Sequence, residues 1–340
     1  MEYTLRHWHS YHEDEWWRQW ANAASGELSL LAAWHHDPEK WRRLLGEQVE
    51  KLLGWEQPSV QPQVELLGQK DAPGFSLQKV AVEADDGTWM TGYVCVPHDN
   101  QQPLPAVVLA HDAASSKEAM VGLLTEHNPE KAPGSHLAAS GYVVCCMDPR
   151  GAGERPRSSD IGDLWQWLGK PPVGRDAMDL VMARKMLAER PDVTEQRIGI
   201  VGMGSGGMAA LYASIMDEGF RATAICGCLM RYRSLPLQAT VHQRRVLHER
   251  LANSAVPGLL AYADFEDLAC LVAPRPLCVC QGADAELPHE LATDVASRIT
   301  EGFEVMGEKA KLTVEVTDQP VVYPTAEVLR FLDDWLLLPV

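Results

Sequence analysis

The chain has 340 residues, 46% of them hydrophobic and 23% charged, which is enough to bury one large core. Its formal net charge of −17 favours solubility and repels phosphate backbones, so nucleic acid is excluded as an expected partner. No apolar run reaches the length of a membrane span, and residues 1–9 are too polar for a secretory signal, so no membrane contact and a cytoplasmic location are expected.

Residues 1–60 are predicted to form a helical extension. Ser10 and Glu13 make a capping box ahead of Trp16, Trp17 and Trp20. Asp37-Pro38 opens a second helix with Trp41, Leu44, Leu45, Val49 and Leu52 at helical spacing, and Gly54 closes it. Tryptophan at this density packs an extension onto a domain or a partner subunit, which makes the extension a candidate homo-oligomer contact. His7, His9 and His12 lie close in sequence. His7 and His9 are two apart and do not share a helical face, so they read as a solvated helix start and no metal site is expected.

From residue 61 onward the period changes. Residues 64–67, 77–82 and 90–96 alternate like half-buried strands of a meander. Continuous apolar runs follow at 106–110, 142–147, 198–201, 223–226, 277–280 and 312–316. Helical patterns lie near 174–190, 207–218, 289–304 and 325–337. This order predicts an α/β domain over 61–340, a mostly parallel twisted sheet with helices on both faces. Stretches 151–173 and 228–262, rich in Trp, Arg, Pro and Leu, are predicted lid-like insertions. Of the eight cysteines, Cys95, Cys145, Cys146, Cys226, Cys278 and Cys280 fall in strand-like runs and read as buried reduced thiols. Cys226-Gly-Cys228 has no second pair to complete a metal set.

The segment from Arg197 to Met208 reads strand, glycine-rich turn, helix start, and resembles the G-x-S-x-G nucleophile elbow. Gly202 and Gly206 flank the tip, and the residue they bracket is Gly204 rather than serine. Ser205 then falls at the position whose backbone N–H serves an oxyanion hole. Three further segments match in order: Val107 to Glu118 with His111-Asp112, Gly141 to Glu154 with Asp148-Pro-Arg150-Gly-Ala-Gly153-Glu154, and Pro257 to Pro276. Together they resemble acetyl xylan esterase-like and dienelactone hydrolase-like members of the α/β-hydrolase superfamily, over about residues 76–338.

That resemblance implies an α/β-hydrolase fold with an N-terminal helical extension and no cofactor. It places the acid at Asp284, with Glu286 as a second choice, and the histidine in 317–324, where none occurs; Gln319 or Asp318 falls near the vacated place. Where the family reads His-Gly, this chain reads His111-Asp112, a carboxylate beside the oxyanion loop. Candidate catalytic residues are therefore Asp112, His111, Ser205 and Asp284, with Gly204, Ser205 and Gly206 forming the turn. Gln319, Arg150 and Trp165 are candidate substrate contacts, and Trp167, Arg231 and Arg233 could line the same pocket. Three functions follow for a small-molecule ligand. The first is a repurposed enzyme acting on a carbonyl- or ester-containing molecule by non-covalent acid/base chemistry of lyase, isomerase or cyclase type. The second is a non-catalytic binder of a ligand or partner. The third is a carboxylic-ester hydrolase using a relocated Ser205, with His289 or His111 as base.

Overall fold

A computed structural model describes residues 19–21, 26–98, 103–124, 131–155, 164–234, 254–283, 289–319, 323 and 325–337. The predicted alternation becomes a nine-stranded sheet in the order β1-β2-β3-β5-β4-β6-β7-β8-β9. β1 (Val64–Ala72), β2 (Phe75–Glu83) and β3 (Trp89–Pro97) form the antiparallel meander. β3 also runs antiparallel to β5 (Val143–Met147). From there β4 (Leu104–Ala110), β6 (Val193–Met203), β7 (Ala222–Cys226), β8 (Leu277–Gln281) and β9 (Leu312–Val316) continue in parallel. β5, β7 and β8 are buried at every residue, as continuous β-branched runs require when helices cover both faces.

Among the described residues, seven longer helices cover the sheet: α1 (Pro38–Leu52), α2 (Pro133–Ala139), α3 (Pro172–Ala188), α4 (Ser205–Met216), α5 (Phe265–Cys270), α6 (His289–Val305) and α7 (Thr325–Leu332). α1, α3, α4, α5 and α6 share one apolar core, built around Trp41, Met182, Leu211, Leu268 and Phe303. α2 and α7 close the other face through Leu137, Val328 and Phe331.

Two expectations need correction. The strand at 64–67 is longer, Val64–Ala72, and it is not half-buried: eight of its nine residues are exposed, because it sits at the open edge of the meander. The short helices α2 and α5 were absent from the predicted pattern, since Pro-Gly-Ser and Glu-Asp mask them in sequence. The Ser10 capping box, Trp16, Trp17 and the His7–His9–His12 cluster lie outside the described residues, as do 156–163 and 235–253 of the two insertions.

α1 behaves as the sequence requires. Asp37 caps it by accepting from Lys40 N, Pro38 occupies its first turn, and Gly54 follows its end with φ 55°. Its Trp41, Leu45 and Val49 are buried in the core shared with the sheet, and Trp55 is buried there too. Both rings pack inside this chain. Residues 26–30 bind α1 to the far half of the chain. Glu27 N and Leu28 N donate to Ala261 O and Tyr262 O, Leu30 N donates to Asp267 Oδ1, and Trp41 Nε1 donates to Leu28 O at 2.7 Å. Asp264 caps α5 with a reciprocal capping box and also accepts from the amides of Tyr232 and Arg233. Burial, with Glu266 alongside, pushes the Asp264 carboxyl up to about 6 and that of Asp267 up to about 7.

Trp41→Ala empties a fully buried site and is expected to cost about 3–5 kcal/mol in urea unfolding. The raised carboxyls set a pH dependence. In the folded chain they favour the protonated form, so their stabilisation is complete below the ordinary aspartate value of about 3.9 and is lost as pH rises through 6 to 7. Urea midpoints should therefore fall between pH 5 and pH 8 (a range chosen on the usual carboxylate scale). Asp267→Asn should give lower absolute stability and a flatter profile; an unchanged slope would refute this assignment.

Candidate active site

β6 ends at Met203, and the chain reverses at Gly204 before α4 begins at Ser205. Gly204 has φ 53° and ψ −121°, a region open to glycine and strained for other residues. Its neighbours are equally constrained. A Cβ on Gly202 would lie 2.4 Å from Gly206 O, and one on Gly206 would lie 2.5 Å from the carbonyls of Ala110 and His111. Gly204 N donates to Cys226 O, which fixes the tip against β7. The bare α-carbon predicted for the tip is therefore where the sequence placed it.

The side-chain space at that tip is filled from another loop. A Cβ on Gly204 would lie 1.8 Å from Asp112 Oδ2. The Asp112 carboxylate reaches in from the turn after β4 and accepts from Ser205 N at 3.0 Å, with Ser205 Oγ 3.5 Å away. Its other oxygen accepts from Ala114 N at 2.8 Å, which closes the loop on itself. Ala113 N in turn donates to Ser205 Oγ at 2.9 Å. Asp112, Ser205 and Gly204 thus converge.

His111 stands apart from Ser205. It is buried, its Nδ1 donates to Asp112 O at 2.8 Å, and its Nε2 has no hydrogen-bond partner, with Asp148 Oδ1 3.8 Å off, beyond hydrogen-bond range. It holds the Asp112 loop, and no hydrogen bond joins it to Ser205. Beneath it lies a buried ion cluster. Lys117 Nζ contacts Asp148, and reaches Glu118 at 3.0 Å and Glu154 at 3.2 Å. Burial pushes the Asp148 carboxyl up, but His111 and Lys117 outweigh it and hold it below the usual range. The turn that carries Asp148 needs Gly153, because a Cβ there would meet the Asp148 carboxylate at 2.3 Å.

A cavity of about 190 Å3 opens beside Ser205, bounded by Ala113, Met147, Val173, Ala209 and Ser254. Arg150 borders it, but its guanidinium is held by Asp179 and Asp86 at 2.6–2.9 Å, so it anchors a turn rather than a substrate carboxylate. Asp179 and Asp176, both on α3, also border the cavity. Asp176 accepts from Arg150 N, and burial with Asp179 nearby pushes its carboxyl up to about 6. These two carboxylates were missed in sequence because an i,i+3 acidic pair usually marks a solvated helix face.

The remaining candidates lie elsewhere. Trp165 does not border the cavity; its ring stacks under the Arg175 guanidinium at 5.2 Å. Gln319 is exposed, and its carbonyl accepts from Ala283 N. His289 Nδ1 lies 3.3 Å from Asp318 Oδ1, both groups facing solvent. Asp284 and Glu286 lie outside the described residues. Among the described residues, no imidazole is hydrogen-bonded to Ser205, and no group of three or more His, Cys, Asp or Glu is placed to hold a metal ion. Among the described residues no helix is long and apolar enough to cross a membrane.

The comparisons with known proteins agree with this architecture. Residues 90–238, from β3 past β7, match the dienelactone hydrolase family. A protein of Bacteroides fragilis named as an acetyl xylan esterase superposes with TM-score 0.70 at 13% identity, covering 92% of this chain and 84% of that one. The chain has the α/β-hydrolase fold. A glucuronoyl esterase from Solibacter usitatus superposes on this chain with TM-score 0.63 at 15% identity, over 87% of this chain and 92% of that one. YtaP of Bacillus subtilis, a hydrolase by name, is 24% identical over 302 residues, which is 85% of this chain and 98% of that protein.

The turn makes a steric prediction. Gly204→Ser forces the new side chain into the Asp112 carboxylate and is expected to lower stability by about 1–3 kcal/mol. Adding Asp112→Ala should return part of that loss. A double-mutant cycle in urea with no coupling between the two sites would show that the carboxylate does not fill the tip.

Proposed function

We propose that this α/β-hydrolase cleaves a small carboxylic ester beside Ser205, with the Ser205 hydroxyl as attacking oxygen and the Asp112 carboxylate as its proton acceptor. One observation carries this reading: Asp112 Oδ2 lies where the side chain of residue 204 would begin, 3.0 Å from Ser205 N and 3.5 Å from Ser205 Oγ. The Ala113 N–H donates to that same Oγ, which favours negative charge developing on it. The positive end of the 12-residue helix α4 faces the same point. A cavity of about 190 Å3 suits a short acyl group.

The relatives support hydrolysis over lyase, isomerase or cyclase chemistry, and over a purely binding role. YtaP is named as a hydrolase, and the two superposed proteins as an acetyl xylan esterase and a glucuronoyl esterase. A carboxylate is a poorer base near neutral pH than an imidazole, so slow turnover belongs to the proposal. A second reading uses the same carboxylate differently. Asp112 at the tip draws a proton from a water that attacks the ester directly, and Ser205 contributes only its backbone N–H.

Hydrolysis of p-nitrophenyl acetate tests both. Asp112→Asn should lower kcat/KM by about 100-fold or more. If Ser205 attacks, Ser205→Ala falls comparably and a fluorophosphonate probe labels Ser205. If Ser205→Ala keeps its rate while Asp112→Asn loses it, the water reading holds. Wild-type protein that leaves acetate, propionate and butyrate esters at the buffer rate would end both.

A further inference from the structure

A second cleft, of about 1030 Å3, lies at the other end of the sheet. Arg221 immediately precedes β7 and Arg275 shortly precedes β8, whereas Gly204 follows β6, so the cleft faces away from the candidate active site. α1 forms one wall with Arg42 and Arg43, and α3 contributes Arg184. Five arginines thus line the cleft against three glutamates, Glu39, Glu195 and Glu218, in a chain whose net charge is −17. Glu47 pairs with Arg43 at 3.0 Å and Asp217 with Arg184 at 2.6 Å, which leaves Arg42, Arg221 and Arg275 without a carboxylate partner among the described residues.

The guanidinium partners show how much of that charge is uncompensated. Arg221 is exposed, and its side chain has no hydrogen bond or ion pair among the described residues. Arg42 donates to the carbonyl of Ala273 at 2.9 Å. Arg275 donates to the carbonyls of Ser214, Asp217 and Phe220 at 2.6–3.1 Å and touches no carboxylate. Burial lowers the affinity of Arg275 for its proton, and Arg42 nearby adds to this against the pull of Glu218 and Asp217. Arg184 uses only Nε on Asp217, at 2.6 Å, and Gly219 leaves room for it to lie flat, since a Cβ there would be 2.5 Å from its Cζ. Planar guanidinium forks held by backbone carbonyls, with donors to spare, suit bidentate binding of oxyanions. The volume admits a molecule of nucleotide size.

We propose that this cleft binds a small polyanion carrying two or more phosphate or carboxylate groups, with Arg42, Arg221 and Arg275 as its main contacts. The site is independent of the ester chemistry proposed above. Titration calorimetry on the full chain tests it, with sodium tripolyphosphate and sodium citrate as probes and sodium chloride at matched ionic strength as control. One molecule of tripolyphosphate or citrate is expected per chain, and whichever binds tighter identifies the phosphate or carboxylate source. Arg221→Ala and Arg42→Ala should each weaken binding by about tenfold, the loss of one charge-assisted contact. Both variants should keep wild-type far-UV circular dichroism and p-nitrophenyl acetate turnover. Binding no stronger than the chloride control, or binding unchanged in both variants, would overturn the proposal.

Discussion

Everything at the candidate active site depends on one steric constraint. The strand-to-helix reversal leaves no room for a Cβ at Gly202, Gly204 or Gly206, and it brings β6 and α4 so close to the β4 loop that the loop's own atoms fill the tip. In most turns of this shape the tip residue supplies the reactive group. Here the space is taken by Asp112, and the turn can only stay as tight as it is because residue 204 has no side chain. The amide of Ser205, the carboxylate of Asp112, the amide of Ala113 and the hydroxyl of Ser205 then form a closed circuit of hydrogen bonds.

That circuit is supported by charge buried below it. The His111 ring holds the backbone of the Asp112 loop and packs over the Asp148–Lys117 pair, and the loop of residues 148–155 is clamped to α3 by the Arg150–Asp179 and Arg155–Asp179 bridges. Such partly desolvated ion pairs contribute little net stability over apolar packing, yet removing one partner leaves an uncompensated charge. Their effect is geometric: they fix where the carboxylate of Asp112 can stand. The two clefts are then separated by the length of the parallel strands, which keeps a reactive end and a cationic end on one rigid sheet.

Most of the sheet was legible because parallel strands buried on both faces must be largely apolar runs, as 223–226 and 277–280 are. β1 was misjudged in burial because alternation reveals a strand but not whether anything packs on it. The glycine at the tip was legible because steric exclusion acts on residue type at fixed spacing. The role of His111 was not, because its ring turns back onto the carbonyl of its own neighbour Asp112, a local backbone contact that the residue type does not reveal. Arg150 was read as a substrate contact because its partners Asp86 and Asp179 come from opposite directions along the sequence.

The strap at residues 26–30 has a consequence for how the molecule is made. The amide of Leu30 bonds to Asp267, 237 positions later, and Trp41 packs in the same core as Phe303. During synthesis the first helices leave the ribosome long before the surfaces that receive them, so their tryptophans stay uncovered while most of the chain is still being translated.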